Sequence, residues 1–470
     1  MRTRAGHLAI CAADGSADRP SATTPRLYRF PPFTRRQLAN GVEIIIASVP
    51  RLPLVSIRVV VDAGAATESS QLAGVATLTA RALAEGTTRL AAAGLADAFE
   101  RLGGSLTSFA TWDDVTVTTS VLRDRFPAVL ELLGEVLMTP AFQDREIDRL
   151  RAERLAELLE LRAEPRGLAD EMFESMVYAP TSRFSLPEGG STKTVASLNR
   201  DRIREFYDER FQPGGTTVIV VGDLTTDHII DRVGGVFGGW GGKTPAMTPR
   251  IALRSREHTA ISVVCRPGAP QTELRAGHVG LPRRHPDYYA VVVMNTMLGG
   301  AFNSRLNLNL REQHAFTYGA SSSFDWRRDA GPFAVSTAVE TDVTGASVSE
   351  ITRELTRIRE EPPTAEELTH IISYLDGIFP IRFETTEAIA AALASLKVFG
   401  LPEDYYDTYR SRIRAVSSSD IETVARDHVH PEQLQIVAVG DHERIGPQLE
   451  SLNMGPVRYY DADGVEMSRH

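Results

Sequence analysis

The hydrophobic and polar positions divide the chain into short stretches of period two and longer stretches of period 3.6. Gln37-Leu-Ala-Asn-Gly-Val-Glu-Ile-Ile-Ile46 sets Asn40-Gly41 between two apolar runs, a strong signal for a tight hairpin turn. The β-branched run over 54–62 continues the sheet. The period then changes: Leu72, Val75, Ala76, Thr79, Ala82 and Leu83 fall on one face of a helix over 72–84, with Gly86 placed as its C-terminal stop. A second helix over 95–102 closes on Gly103-Gly104. Residues 105–121 are thick with Thr and Val and interrupted near Asp113-Asp114, which predicts two strands. Two amphipathic helices follow. One covers 126–138 with Val129, Leu130, Leu133, Val136 and Leu137 inward, the other 146–163 with Ile147, Leu150, Leu155, Leu158 and Leu159 on a stripe, and Pro165 ends it.

A repeat organises the rest. Phe211-Gln-Pro-Gly-Gly-Thr-Thr-Val-Ile-Val-Val-Gly-Asp223 closes one half, and Val429-His-Pro-Glu-Gln-Leu-Gln-Ile-Val-Ala-Val-Gly-Asp441 closes the other. In both, a Pro stands ten residues before the Asp of a Val-Gly-Asp strand end, and both follow a helix, over 201–209 and 419–428. The sequence predicts an α+β protein of two homologous α/β halves, each a mainly antiparallel sheet packed with helices. The expected divisions are a leader over 1–27, a first half over 28–240, a Gly/Thr/Pro-rich linker over 241–258 and a second half over 259–470.

Composition narrows the function classes. With 61 acidic against 51 basic residues spread along the chain, the net charge of -10 argues against a nucleic-acid partner. Two cysteines, Cys11 and Cys265, are too few for a disulfide framework or a cysteine zinc cage. No apolar run approaches the ~20 residues of a membrane span. Leu8-Ala-Ile-Cys11 faintly suggests a lipoprotein cleavage site. Its apolar core is too short for a signal peptide and Ile10 too large before a lipidated Cys, so a cytoplasmic location is expected, or a periplasmic one if the true start lies upstream.

Several motifs together resemble the pitrilysin/mitochondrial-processing-peptidase family of zinc peptidases. In the first half these are Leu38-Ala-Asn-Gly-Val, the Asp62-Ala-Gly-Ala turn and residues 74–87. In the second they are Pro286-Asp-Tyr-Tyr, Met294-Asn, Leu298-Gly-Gly-Ala-Phe-Asn-Ser-Arg-Leu306 and Leu310-Arg-Glu312. The resemblance implies two halves closing like a clam on a peptide chamber. It also implies a zinc motif, His-x-x-Glu-His, on the helix before a Gly-Thr turn. Two histidines four apart share a helix face and can reach one ion, and the Glu is the general base. Aligned on Gly86-Thr87, this chain has Thr77, Ala80 and Arg81 at those places. From residue 8 to residue 227 there is no histidine at all, where the chain's average frequency gives about five. No metal is therefore expected on this chain. Glu157 stands where the family's third ligand falls, but Glu153, Glu157, Glu160 and Glu164 read better as the solvated stripe of a helix.

The same resemblance assigns Arg311 and Tyr318 to the pair that faces zinc across the chamber, an Arg on the substrate backbone and a phenol on the oxyanion. Arg305 reads as a structural partner within its helix. The family's substrate edge strand would hold Ser105, Thr107 and Phe109. His428 and His430 straddle a helix end and read as ordinary surface histidines. These readings converge on a non-catalytic, substrate-positioning subunit of a heterodimeric zinc endopeptidase, with the zinc in a His-x-x-Glu-His partner chain. The alternative is a structural or peptide-binding protein of the same fold.

Overall fold

The computed structural model describes residues 27–242 and 258–467. The expected leader and most of the expected linker, Cys11 included, lie outside the described residues. The first sheet contains β1 (Phe33–Gln37), β2 (Glu43–Ser48), β3 (Leu54–Val61), β4 (Thr107–Ala110), β5 (Val115–Leu122) and β6 (Thr216–Gly222), in the order β1-β2-β6-β3-β5-β4. The second contains β7 (Ala260–Cys265), β8 (Gln271–Val279), β9 (Thr317–Phe324), β10 (Pro332–Glu340), β11 (Gln435–Gly440), β12 (Val457–Tyr460) and β13 (Glu466–Met467), in the order β13-β12-β7-β11-β8-β10-β9.

Five strands of each sheet follow one plan. β2 runs parallel to β6 as β7 does to β11, and the remaining pairs, β6-β3-β5-β4 and β11-β8-β10-β9, are antiparallel. The helices Arg200–Arg210 and Ser418–His428 precede the closing strands at equivalent places, each followed by a short turn that begins on Pro213 or Pro431. The β6 strand is buried along its whole length, and so is β11, which explains why the repeat is apolar without alternation.

The halves exchange cover. The helix Pro165–Val177, from the first half of the chain, lays Leu168, Ala169, Met172 and Phe173 against Val264, Val437 and Val439 of the second sheet. The helix Thr386–Phe399, from the second half, packs on β3 and β6 of the first. A cavity of about 790 Å³ remains between the halves. Among the described residues, no helix is long and apolar enough to cross a membrane.

The hairpin forms as expected, with Gly41 at φ 97°. The next helix starts at Val75, three residues later than its apolar stripe suggests. Gly74 takes φ 97°, and the Glu68 carboxylate accepts the amides of Gly74 at 3.0 Å and Ala76 at 2.6 Å, fixing the helix start from outside its own turn. Arg183 donates to Glu68 Oε2 at 2.8 Å, and both side chains are buried. The expectation for Pro165 is half corrected. The helix Asp144–Ala163 does end there, but Pro165 also opens the helix Pro165–Val177 at its first position, where a missing N–H costs nothing.

Candidate functional site

The helix Val75–Leu83 carries the three positions of the zinc motif. Ala80 is buried in the core of the first half, while Thr77 and Arg81 turn toward the cavity between the halves. There the Arg81 guanidinium makes a two-pronged pair with Glu157, Nη1 to Oε1 at 2.7 Å and Nη2 to Oε2 at 2.8 Å. Arg154 adds a third donor to Glu157 at 3.1 Å. The hydrogen bond from Arg81, then that from Arg154, hold the Glu157 carboxyl below its usual range against partial burial. Glu157 is thus not a member of a freely solvated stripe. Its side chain is 42% exposed, yet both oxygens are engaged. A hydroxyl, a methyl and a guanidinium do not make a zinc ligand set, and the Glu157 carboxylate already neutralises a fixed cation. The residues at this position do not fit the metal.

The rest of the cavity wall mixes polar and apolar side chains. It includes Arg58, Ser108, Phe109, Asp113 and Glu188 from the first half and Trp326 from the second. Burial raises Asp113 to about 6, against the nearby Arg328, and raises Glu188 to about 7, against Arg327. Buried Arg58 Nε, Thr77 Oγ1 and Ser108 Oγ have no hydrogen-bond partner among the described residues. The Asp113-Asp114 pair was visible in the sequence only as a break between strands. Its burial beneath the second half was not.

Of the three edge-strand candidates, Phe109 reaches this cavity. Thr107 is exposed on the same terminal strand, β4, and Ser105 precedes the strand. Ser108, which the sequence reading passed over, lines the cavity beside Phe109.

Arg311 and Tyr318 meet in a different concavity, of about 550 Å³, lined also by Gln271, Phe316, Glu340 and Asp342. It shares no lining residue with the cavity that holds Arg81. Arg311 lies in the wide helical turn Asn307–Gln313 with its guanidinium carbon 4.3 Å from the centre of the Phe302 ring. Tyr318 stands second in β9, the terminal strand of its sheet, and is 93% exposed. Arg305 ties to another helix rather than its own: it grips Glu367 of Ala365–Ile378 at 2.8 and 2.9 Å. His428 and His430 also depart from expectation. His428 Nε2 lies 2.7 Å from Asp287 Oδ2, and His430 packs on the buried His278 ring at 5.0 Å between ring centres.

Known proteins share both the sequence pattern and this architecture. Residues 43–186 match the family model described as Insulinase (Peptidase family M16), and residues 197–375 match that of the Peptidase M16 inactive domain. An uncharacterized zinc protease of Streptomyces coelicolor is 24% identical over 84% of this chain and 86% of its own length. A probable mitochondrial-processing peptidase subunit beta of Arabidopsis thaliana is 22% identical over 86% of this chain and 77% of its own. A crystal structure of a peptidase M16 inactive domain from Pseudomonas fluorescens superposes with a TM-score of 0.81 at 23% identity, covering 87% of this chain and 98% of that one. With the motifs of both halves matched and the paired-sheet fold in common, the chain belongs to peptidase family M16.

Proposed function

We propose that this chain is the non-catalytic, substrate-positioning subunit of a two-chain zinc endopeptidase that acts on peptides or unfolded segments. The observation that carries this reading is the separation of the two half-sites. The Arg81–Glu157 pair closes the metal position on one wall, while the half-buried Arg311 and the exposed Tyr318 line a concavity of their own. A phenol and a guanidinium displayed outward are available to a zinc site on another chain, where they would bind substrate backbone and stabilise the oxyanion. The partner would supply His-x-x-Glu-His, the zinc and the activated water. The Arabidopsis relative is itself named as a subunit.

A peptidase assay on a quenched-fluorescent peptide tests the reading, with this chain alone, a His-x-x-Glu-His partner alone, and the mixture. The expected result is cleavage well above the partner's own rate in the mixture alone. A mixture no faster than the partner alone, or full activity from this chain by itself, would overturn it.

The second reading, a peptide-binding protein with no part in proteolysis, is favoured by the cavity between the halves. Ser108 and Phe109 of the terminal strand β4 line it, where an extended backbone can add to the strand edge. Peptide binding by the isolated chain that survives the loss of Arg311 and Tyr318, with no effect on any partner's turnover, is its signature.

A further inference from the structure

We propose that His285, Asp287 and His428 form a binding site for a borderline divalent transition-metal ion such as zinc, in the second half and independent of the position lost around Arg81. None of the three lines the cavity between the halves or the Arg311 concavity. The proposal does not rest on the subunit role above.

One donor atom from each of the three residues lies within 4.8 Å of the others. Asp287 Oδ2 is 2.7 Å from His428 Nε2 and 3.6 Å from His285 Nδ1. A tetrahedral ion with metal–nitrogen bonds of ~2.0–2.1 Å holds its donors ~3.3 Å apart, so these separations bracket the requirement and side-chain rotation of ~1 Å completes it. The two imidazole rings stand 5.0 Å apart at 81°, as rings do when they approach one point from different directions.

The scaffold holds the donors in place. His285 and Asp287 sit in a loop stiffened by Pro282 and Pro286, with the His285 amide donating to Pro282 O at 3.0 Å and the Tyr288 amide to His285 O at 3.1 Å. His428 is the last residue of the helix Ser418–His428. Asp287 is the N-cap of the helix Tyr288–Asn295, yet its carboxylate makes no cap hydrogen bond and turns to the histidines instead. A cap residue that leaves its own helix amides unserved is doing something else with its charge.

The donor set selects the ion. Two imidazoles and one carboxylate suit zinc, cobalt or nickel, whereas magnesium and calcium prefer all-oxygen shells. Three protein ligands leave a fourth position for water. When bound, the ion would clip two segments 141 residues apart, the start of one helix and the end of another.

The test uses the full, untagged chain after chelation and dialysis. Titration with Co²⁺ should give visible absorption of low-coordinate cobalt saturating at one equivalent, reversed by Zn²⁺ and indifferent to Mg²⁺. Asp287→Asn should weaken binding about tenfold or more, and His285→Ala and His428→Ala should each weaken it by roughly 100-fold. Circular dichroism establishes that each variant is folded. Should His428→Ala fail to fold, His285→Ala on the loop still decides. If the wild-type chain binds neither ion, or if folded variants bind as well as wild type, the trio is a hydrogen-bonded cluster and the proposal falls.

Discussion

β4 and β9 occupy the same terminal place in the two sheets, and what surrounds them differs in kind. Beside β4, the cation in the last turn of the helix Val75–Leu83 is spent. Arg81 is clamped by both oxygens of Glu157, and the Phe109 side chain is only 38% exposed. On β9, Tyr318 is almost wholly exposed, and Arg311 beside it rests on an exposed Phe302 with a looser 3.5 Å contact to Glu312. The two halves share a backbone plan and differ in side-chain chemistry. The cation at the end of the helix Val75–Leu83 is paired within the fold, whereas the Tyr318 phenol is open to whatever docks there. Fold and chemical readiness are separate properties, and the same strand position can carry either.

The comparison is most strongly challenged at Glu68 and Arg183, which hold the helix of the lost metal site in place. Arg183→Met leaves a fully buried carboxylate with only its two amide donors. A loss of ~3–5 kcal/mol in denaturant-unfolding stability is expected. A loss below ~1 kcal/mol would mean that the first half no longer depends on this helix.

Arg311→Ala and Tyr318→Phe sharpen the contrast from the other side. In the mixture with a zinc-bearing partner, each should lower kcat about 10²–10³-fold, as removal of an oxyanion donor does, with the complex still forming in gel filtration. Arg81→Met should leave that turnover unchanged.

Asp113 supplies a pH-dependent test. Its pKa is raised from 3.8 to about 6, so the folded state holds the proton more tightly than the unfolded chain. The protein then loses stability as pH rises through this window. Asp113→Asn should raise stability by roughly 1–3 kcal/mol at pH 7.5 and by little at pH 4, measured as urea midpoints at both values.

The smallest effect is expected from Arg81→Met itself. The pair is partly exposed, so its loss should cost only ~0.2–1 kcal/mol at neutral pH. Because the folded pKa of Glu157 is lowered, that difference should be present above the ordinary 4.5 and fade as pH falls through the lowered value.

Much of this architecture was legible because it rests on local pattern. The Asn40-Gly41 turn, the helix Phe126–Met138 and the strand pair that closes each half were written in spacing alone. What escaped was tertiary. A carboxylate seven residues upstream resets the start of the helix at Val75, and a proline that ends one helix begins the next. Glu157 looked like one of four equivalent glutamates, and only the opposed Arg81 distinguishes it. The approach of His428 to Asp287 joins residues that no spacing rule connects.

The guanidinium of Arg81 has a further consequence. A metal that neutralises a carboxylate is a solute: its protection scales with its concentration and vanishes in a chelator. Arg81 is instead delivered by the chain itself, at an effective concentration fixed by the fold and independent of supply. Scarcity of zinc therefore leaves Glu157 neutralised, where a carboxylate matched to a metal would lose its ion.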